Sequence, residues 1–137
     1  MHIKPTILQN TAISIIREFN NKKIHYALAR NYEQYPNFGN DIDFLSNEPL
    51  WRLKKILIEV AKKNNWDCLV HDNHFSGLIS NTISVEAFYF YKYKSGRYKA
   101  LHLDFFRGFI LWGLPFIKAL DIKRQKNKKK GFFYLNL

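Results

Sequence analysis

Asp41 and Asp43 stand one residue apart in the run Gly39-Asn40-Asp41-Ile42-Asp43-Phe44. Side chains alternate along a strand, so both carboxylates would share one side while Ile42 and Phe44 point to the other, into a core. Two negative charges held this close repel each other, and a bound cation resolves the repulsion. A hard divalent ion such as Mg²⁺, or Mn²⁺ in its place, prefers oxygen ligands and keeps positions open for substrate phosphates. Such ions support phosphoryl and nucleotidyl transfer by clamping attacking and leaving oxygens.

Asp104 is the expected third ligand. Between Tyr98 and Phe106, alternation puts Leu101, Leu103 and Phe105 on one face and His102, Asp104 and Phe106 on the other. A carboxylate inside so apolar a strand needs a partner or a metal, because burying it alone is costly. The plainer alternative is an exposed aspartate at a strand end. His102 can orient a carboxylate or touch a phosphate, although a hydrogen-bonded structural histidine is the commoner use of that residue. Glu86 is the second candidate for the third acidic position, and is otherwise expected to pair with a Lys or Arg on a neighbouring strand. His71-Asp72-Asn73-His74 lacks further ligands at a metal-binding spacing, and its Asp-Asn centre reads as a turn. There is no Gly-rich P-loop, Ser nucleophile elbow or His-Glu-x-x-His motif.

These residues must be positioned by an α/β arrangement. Apolar spacing from Ile7 to Asn20 predicts a helix. Ile24 to Ala29 reads as a buried strand, Asn31 to Asn40 as a loop, and Asp41 to Leu45 as a second strand. Ser46-Asn47-Glu48-Pro49 opens a second helix, whose stripe is Leu50, Leu53, Ile56, Leu57 and Val60. Trp66 to Val70 is a third strand, and residues 71–77 a turn. Thr82 to Tyr93 and Tyr98 to Phe106 form a hairpin about Ser95-Gly96. Phe109 to Trp112 is a short strand, Leu114 to Leu120 a short helix, and Gly131 to Leu135 a last strand. Trp112, Gly113 and Pro115 read as a packed turn. The order of elements predicts a mixed sheet flanked by helices rather than an alternating parallel one.

The 137 residues suit a single domain, and an apolar fraction of 47% is enough for a core. One cysteine, Cys68, excludes a disulfide framework and fits a reducing, cytoplasmic setting. No apolar run reaches the ~20 residues of a spanning helix, so stable membrane insertion is not expected. The net charge of +11 favours anionic partners: nucleotides, nucleic acid or lipid headgroups. Part of it is local, in Lys123, Arg124, Lys126, Lys128, Lys129 and Lys130, a stretch that reads as a solvated linker. Tyr89, Tyr91, Tyr93 and Tyr98 interleave with Lys92, Lys94, Arg97 and Lys99, as on surfaces where aromatics stack on bases. An amphipathic hairpin face accounts for the same pattern.

The segment Tyr26-Ala27-Leu28-Ala29-Arg30-Asn31-Tyr32-Glu33, succeeded by Pro36 and Gly39-Asn40-Asp41-Ile42-Asp43, resembles the nucleotidyltransferase superfamily with its polymerase-beta-like fold. More narrowly, it is similar to a branch associated with bacterial surface-polysaccharide genes. The superfamily pattern is a small-residue turn after a strand, a spacer, Asp-x-Asp, and a third carboxylate on a later strand. Here Arg30-Asn31 sits at the turn, nine residues separate Asn31 from Asp41, and Leu103-Asp104-Phe105 supplies the later strand. Leu111-Trp112-Gly113-Leu114-Pro115-Phe116 also resembles the segment after the third carboxylate in that branch. The resemblance runs from about Ile24 to Leu135.

It implies a minimal nucleotidyltransferase fold moving an NMP from an NTP to a hydroxyl acceptor such as a sugar or glycan precursor. Asp41, Asp43 and Asp104 would be the catalytic metal ligands, Asp104 also a candidate general base. Arg30, Asn31, Gly39 and Asn40 would contact the nucleotide. The usual Gly-Ser turn, whose backbone N–H groups cradle phosphate, is absent. Arg30 can replace it by forking onto a phosphate, or can pair with the aspartates instead. The C-terminal helices that help hold an acceptor in the family are also not evident. On this resemblance the expectation is a fragment, a short product lacking that helical part, or one portion that works with a partner protein. Two other functions stay open: an inactive module of the same fold, and a basic nucleic-acid binder.

Overall fold

The computed structural model describes residues 4–75, 84–111, 114–118 and 124–135. Helix α1 spans Ile7–Asn21 and opens on a capping box, in which Thr6 and Gln9 bond each other's backbone N–H groups at 2.9 and 3.1 Å. Its buried stripe is Thr11, Ala12, Ile15, Ile16 and Phe19. Helix α2 spans Leu50–Lys63, with Pro49 at its N-cap, and buries Leu53, Ile56, Leu57, Val60 and Ala61. Thr11 ties the first helix to the chain leaving the second, accepting the Trp66 indole N–H at 2.9 Å.

The strands are β1 (Ala27–Leu28), β2 (Asp41–Leu45), β3 (Cys68–Phe75), β4 (Ser84–Lys94), β5 (Arg97–Phe106), β6 (Gly108–Leu111), β7 (Leu114–Lys118), β8 (Gln125–Asn127) and β9 (Phe132–Tyr134). Seven of them form one sheet in the order β3-β4-β5-β2-β1-β9-β8, and β6 pairs with β7. Pairs β2–β5 and β1–β9 are parallel and the other neighbours antiparallel, so this is a mixed α/β sheet. Among the described residues, no helix is long and apolar enough to cross a membrane.

Alternation splits β2 and β5 as expected. Ile42, Phe44, Leu101, Leu103 and Phe105 are buried under the helices. Phe44 and Phe105 stack with ring centroids 4.9 Å apart, and Phe19 of α1 covers both at 5.5 and 6.1 Å. Burial of each such side chain contributes about 1.5–3 kcal/mol. This aromatic layer fixes which faces of β2 and β5 are left for chemistry.

Several expectations need correction. Residues 71–75 are not a turn: β3 continues to Phe75, in unbroken antiparallel register with β4. The Asp-Asn turn preference is overridden because Glu86 accepts bonds from the neighbouring strand, lying 2.6 Å from His71 Nε2 and 2.7 Å from Asn73 Nδ2. Among the described residues, Glu86 is therefore hydrogen-bonded by His71 and Asn73 rather than by a Lys or Arg, with the Arg107 charge felt at longer range. Leu114–Lys118 is a strand, not a helix, and pairs with β6. Pro115 lies opposite Ile110, beside a register shift where a missing N–H is tolerated. The basic stretch is not simply a linker. Gln125–Asn127 pairs with β9, and Arg124 is half-buried, donating to the Tyr26 carbonyl at 2.9 Å. Lys123, Trp112, Gly113 and the end of the expected helix at 119–120 lie outside the described residues.

Candidate metal centre

Strands β2 and β5 run parallel with Asp41 opposite His102 and Asp43 opposite Asp104. In-register partners on adjacent strands share a face. Four polar groups thus sit together on the side turned away from Phe44 and Phe105. The strand entrance is held by the Gly39-Asn40 turn, where the Asn40 carbonyl accepts the His102 N–H at 2.8 Å. Gly39 has φ +72° with no atom within 4 Å of where a Cβ would stand, so backbone conformation rather than space calls for glycine there.

His102 lies at the centre of the cluster. Its Nε2 is 2.7 Å from Asp104 Oδ1, and its Nδ1 is 3.7 Å from Asp41 Oδ1. One ligand atom from each of Asp41, His102 and Asp104 lies within 4.8 Å of the other two, close enough to hold one cation. Tyr89 of β4, the register partner of His102, stacks on the imidazole at 4.4 Å. Burial first, and then the charges of Asp104 and Asp72, raise the Tyr89 phenol pKa.

Asp43 is held differently. Its side chain is only 4% exposed, against 46% for Asp41, and Oδ2 accepts a charge-assisted bond from Arg30 Nε. That bond, then the charge of Asp43, and more weakly those of Asp41 and Asp104, raise the Arg30 pKa. Arg30 reaches this place because the Ala29 N–H donates to the Asp43 carbonyl at 2.9 Å, which brings the end of β1 alongside β2. Of the two roles open to Arg30 from the sequence, this geometry has it paired with an aspartate. Asn31 comes next in a left-handed conformation at φ 57° and is exposed, as are Gly39 and Asn40. The loop from Tyr32 onward is anchored on the last strand, with Tyr32 against Tyr134 at 4.5 Å and Tyr35 against Phe132 at 5.0 Å.

The donor set suits a hard cation. The close group is Asp41, His102 and Asp104; Asp43, an expected ligand held by Arg30, is not among the atoms within 4.8 Å of one another, although its Oδ1 is buried without a hydrogen-bond partner among the described residues. A buried carboxylate oxygen in that state is an available ligand atom. Glu86 is not part of the set: it aligns with Phe105 on the helix-covered face. His102 is hydrogen-bonded to Asp104, as the commoner use of a histidine has it, and the same position lets it offer a ligand atom beside Asp41 and Asp104. Its signal was the two-residue spacing to Asp104, which places both on one face.

No family model matches the chain, and no curated protein matches it. The chain is similar to the crystal structure of JHP933 from Helicobacter pylori, with 12% identity and a TM-score of 0.39. That comparison covers 85% of this chain and 54% of the other, so the chain spans about half of that protein's length.

Proposed function

We propose that the protein is a metal-dependent nucleotidyltransferase that moves an NMP from an NTP to a hydroxyl acceptor, a sugar or glycan precursor by the resemblance in its sequence. The observation that carries this reading is the register of Asp43 against Asp104, which sets the Asp41/Asp43 pair beside a third carboxylate on an open sheet face. Asp41, Asp43 and Asp104 would hold Mg²⁺. When bound, that ion supplies charge neutralisation and alignment for the nucleotide phosphates.

The chain's own residues have separate tasks in this account. Asp104 accepts the acceptor's hydroxyl proton at Oδ2, while His102 fixes the carboxylate through Oδ1. The acceptor oxygen then bonds the α-phosphorus, the bond to the bridging oxygen breaks, and pyrophosphate leaves. Arg30, 65% exposed along its side chain, has the reach to exchange Asp43 for a phosphate.

The Arg30–Asp43 pair also favours a second reading, a non-catalytic module in which the guanidinium takes the place of a cation. Calorimetry with Mg²⁺ and each of ATP, GTP, CTP and UTP separates the two. Submillimolar binding of one nucleotide, abolished by Asp41→Asn, supports the enzyme. Failure of all four to bind a folded protein supports the module.

A further inference from the structure

One group of cations stands apart from the carboxylates of β2 and β5. Arg17, Lys23, Arg124, Lys126 and Lys130 converge where the end of α1 meets the β8–β9 hairpin. Two clefts open there, of about 250 and 450 Å³, and Asn20 and Gly131 line both. The larger has Lys23, Arg124 and Lys126 on its walls and Phe19, Ile24 and Phe133 as its apolar lining. Among the described residues, none of these cations is ion-paired with a carboxylate.

Arg124 is the informative member. Its guanidinium sits 3.8 Å above the centre of the Phe133 ring, with Lys126 Nζ 5.5 Å from the same centre. Burial lowers its pKa, and only the Tyr26 hydroxyl acts in the other direction. A guanidinium taken out of water is normally matched by a carboxylate. Among the described residues, this one has a backbone carbonyl and an aromatic face, and Lys126 shares that same ring. Like charges gathered in a concave site focus a field that attracts anions. The volume falls within the roughly 300–1,000 Å³ of small-ligand sites.

We infer that this cleft is a binding site for a phosphate group, held by Arg124 and Lys126 with Lys23 closing the third side. It is separate from the candidate metal centre, since β1 and β9 stand between β2 and β8 in the sheet. It also does not depend on nucleotidyl transfer. The phosphate can belong to a free phosphorylated ligand or to a nucleic-acid backbone, and the recognising chemistry is the same.

The test is an NMR titration of the full chain with inorganic pyrophosphate, with divalent metal chelated. Saturable shifts at Lys23, Arg124, Lys126 and Gly131 are expected. Lys126→Glu, a change at an exposed residue, should weaken binding at least tenfold, and Arg124→Gln should act in the same direction. Lys99→Glu on the β4–β5 hairpin should change it less than twofold, and Asp41→Asn should leave it unaltered. Shifts spread over every lysine, or equal weakening by Lys126→Glu and Lys99→Glu, would overturn the site. A ten-nucleotide oligothymidylate that displaces pyrophosphate identifies a nucleic-acid backbone as the source. Pyrophosphate that stays bound against it identifies a free ligand.

Discussion

Asp43 of β2 and Asp104 of β5 are register partners on adjacent parallel strands, one bonded to Arg30 and the other to His102. The two partners differ in reach and stiffness. Arg30 is a long, exposed side chain from a loop, whereas His102 is a strand residue clamped by the Tyr89 ring. The cluster therefore has one exchangeable partner and one fixed partner.

Arg30→Ala removes the exchangeable one. The buried Asp43 carboxylate then loses its charge-assisted bond, which costs about 1–3 kcal/mol for a group left unsatisfied. Thermal unfolding should show that loss without metal. Added Mn²⁺ should restore more stability to the variant than to the parent, because the ion no longer competes with a guanidinium.

His102→Asn tests the fixed partner. Groups that orient metal ligands typically account for 10–100-fold in metal affinity. A weakening of that order is expected in Mn²⁺ titrations, with thermal stability nearly unchanged because His102 lies on the open face.

Which polar residues share a face in the candidate cluster was legible in the sequence because those signals are local. A two-residue spacing puts Asp41 with Asp43, and His102 with Asp104, on common faces. What joins the two pairs is parallel β2–β5 pairing between segments about sixty residues apart in sequence, and no local pattern encodes that register. The same limit explains β3, where bonds from His71 and Asn73 to Glu86 outweigh a local turn preference. It also explains Leu114–Lys118, since a short apolar run with a proline fits a helix start or an irregular strand equally well. For Arg30 the sequence left two partners open, and only the Ala29–Asp43 backbone bond brings one of them within reach.

Glu86 provides the contrasting case. Glu86→Ala should cost about 1–3 kcal/mol by stranding Asn73 and His71. Metal affinity should stay within twofold of the parent, because Glu86 lies on the helix-covered face.

Alkaline pH should expose the buried phenol of Tyr26, whose pKa burial raises from 10.0 to about 12. Below pH 10 the phenol is neutral in both folded and unfolded chains, and its contribution is constant. As pH rises from 10 toward 12 the unfolded chain ionises first, so stability should fall by roughly 2–3 kcal/mol across that window. Denaturant titrations of the parent and Tyr26→Phe should diverge above pH 10, with only the parent showing this component.

The central claim is that Asp41, Asp43 and Asp104 together hold the ion on which a nucleotide sits. The most direct measurement is the anomalous scattering of a crystal soaked with Mn²⁺ and a non-hydrolysable NTP analogue. The account predicts a manganese peak contacted by all three carboxylates, the triphosphate on the same ion, and Arg30 moved off Asp43. A site without manganese, with Arg30 still on Asp43, would contradict it.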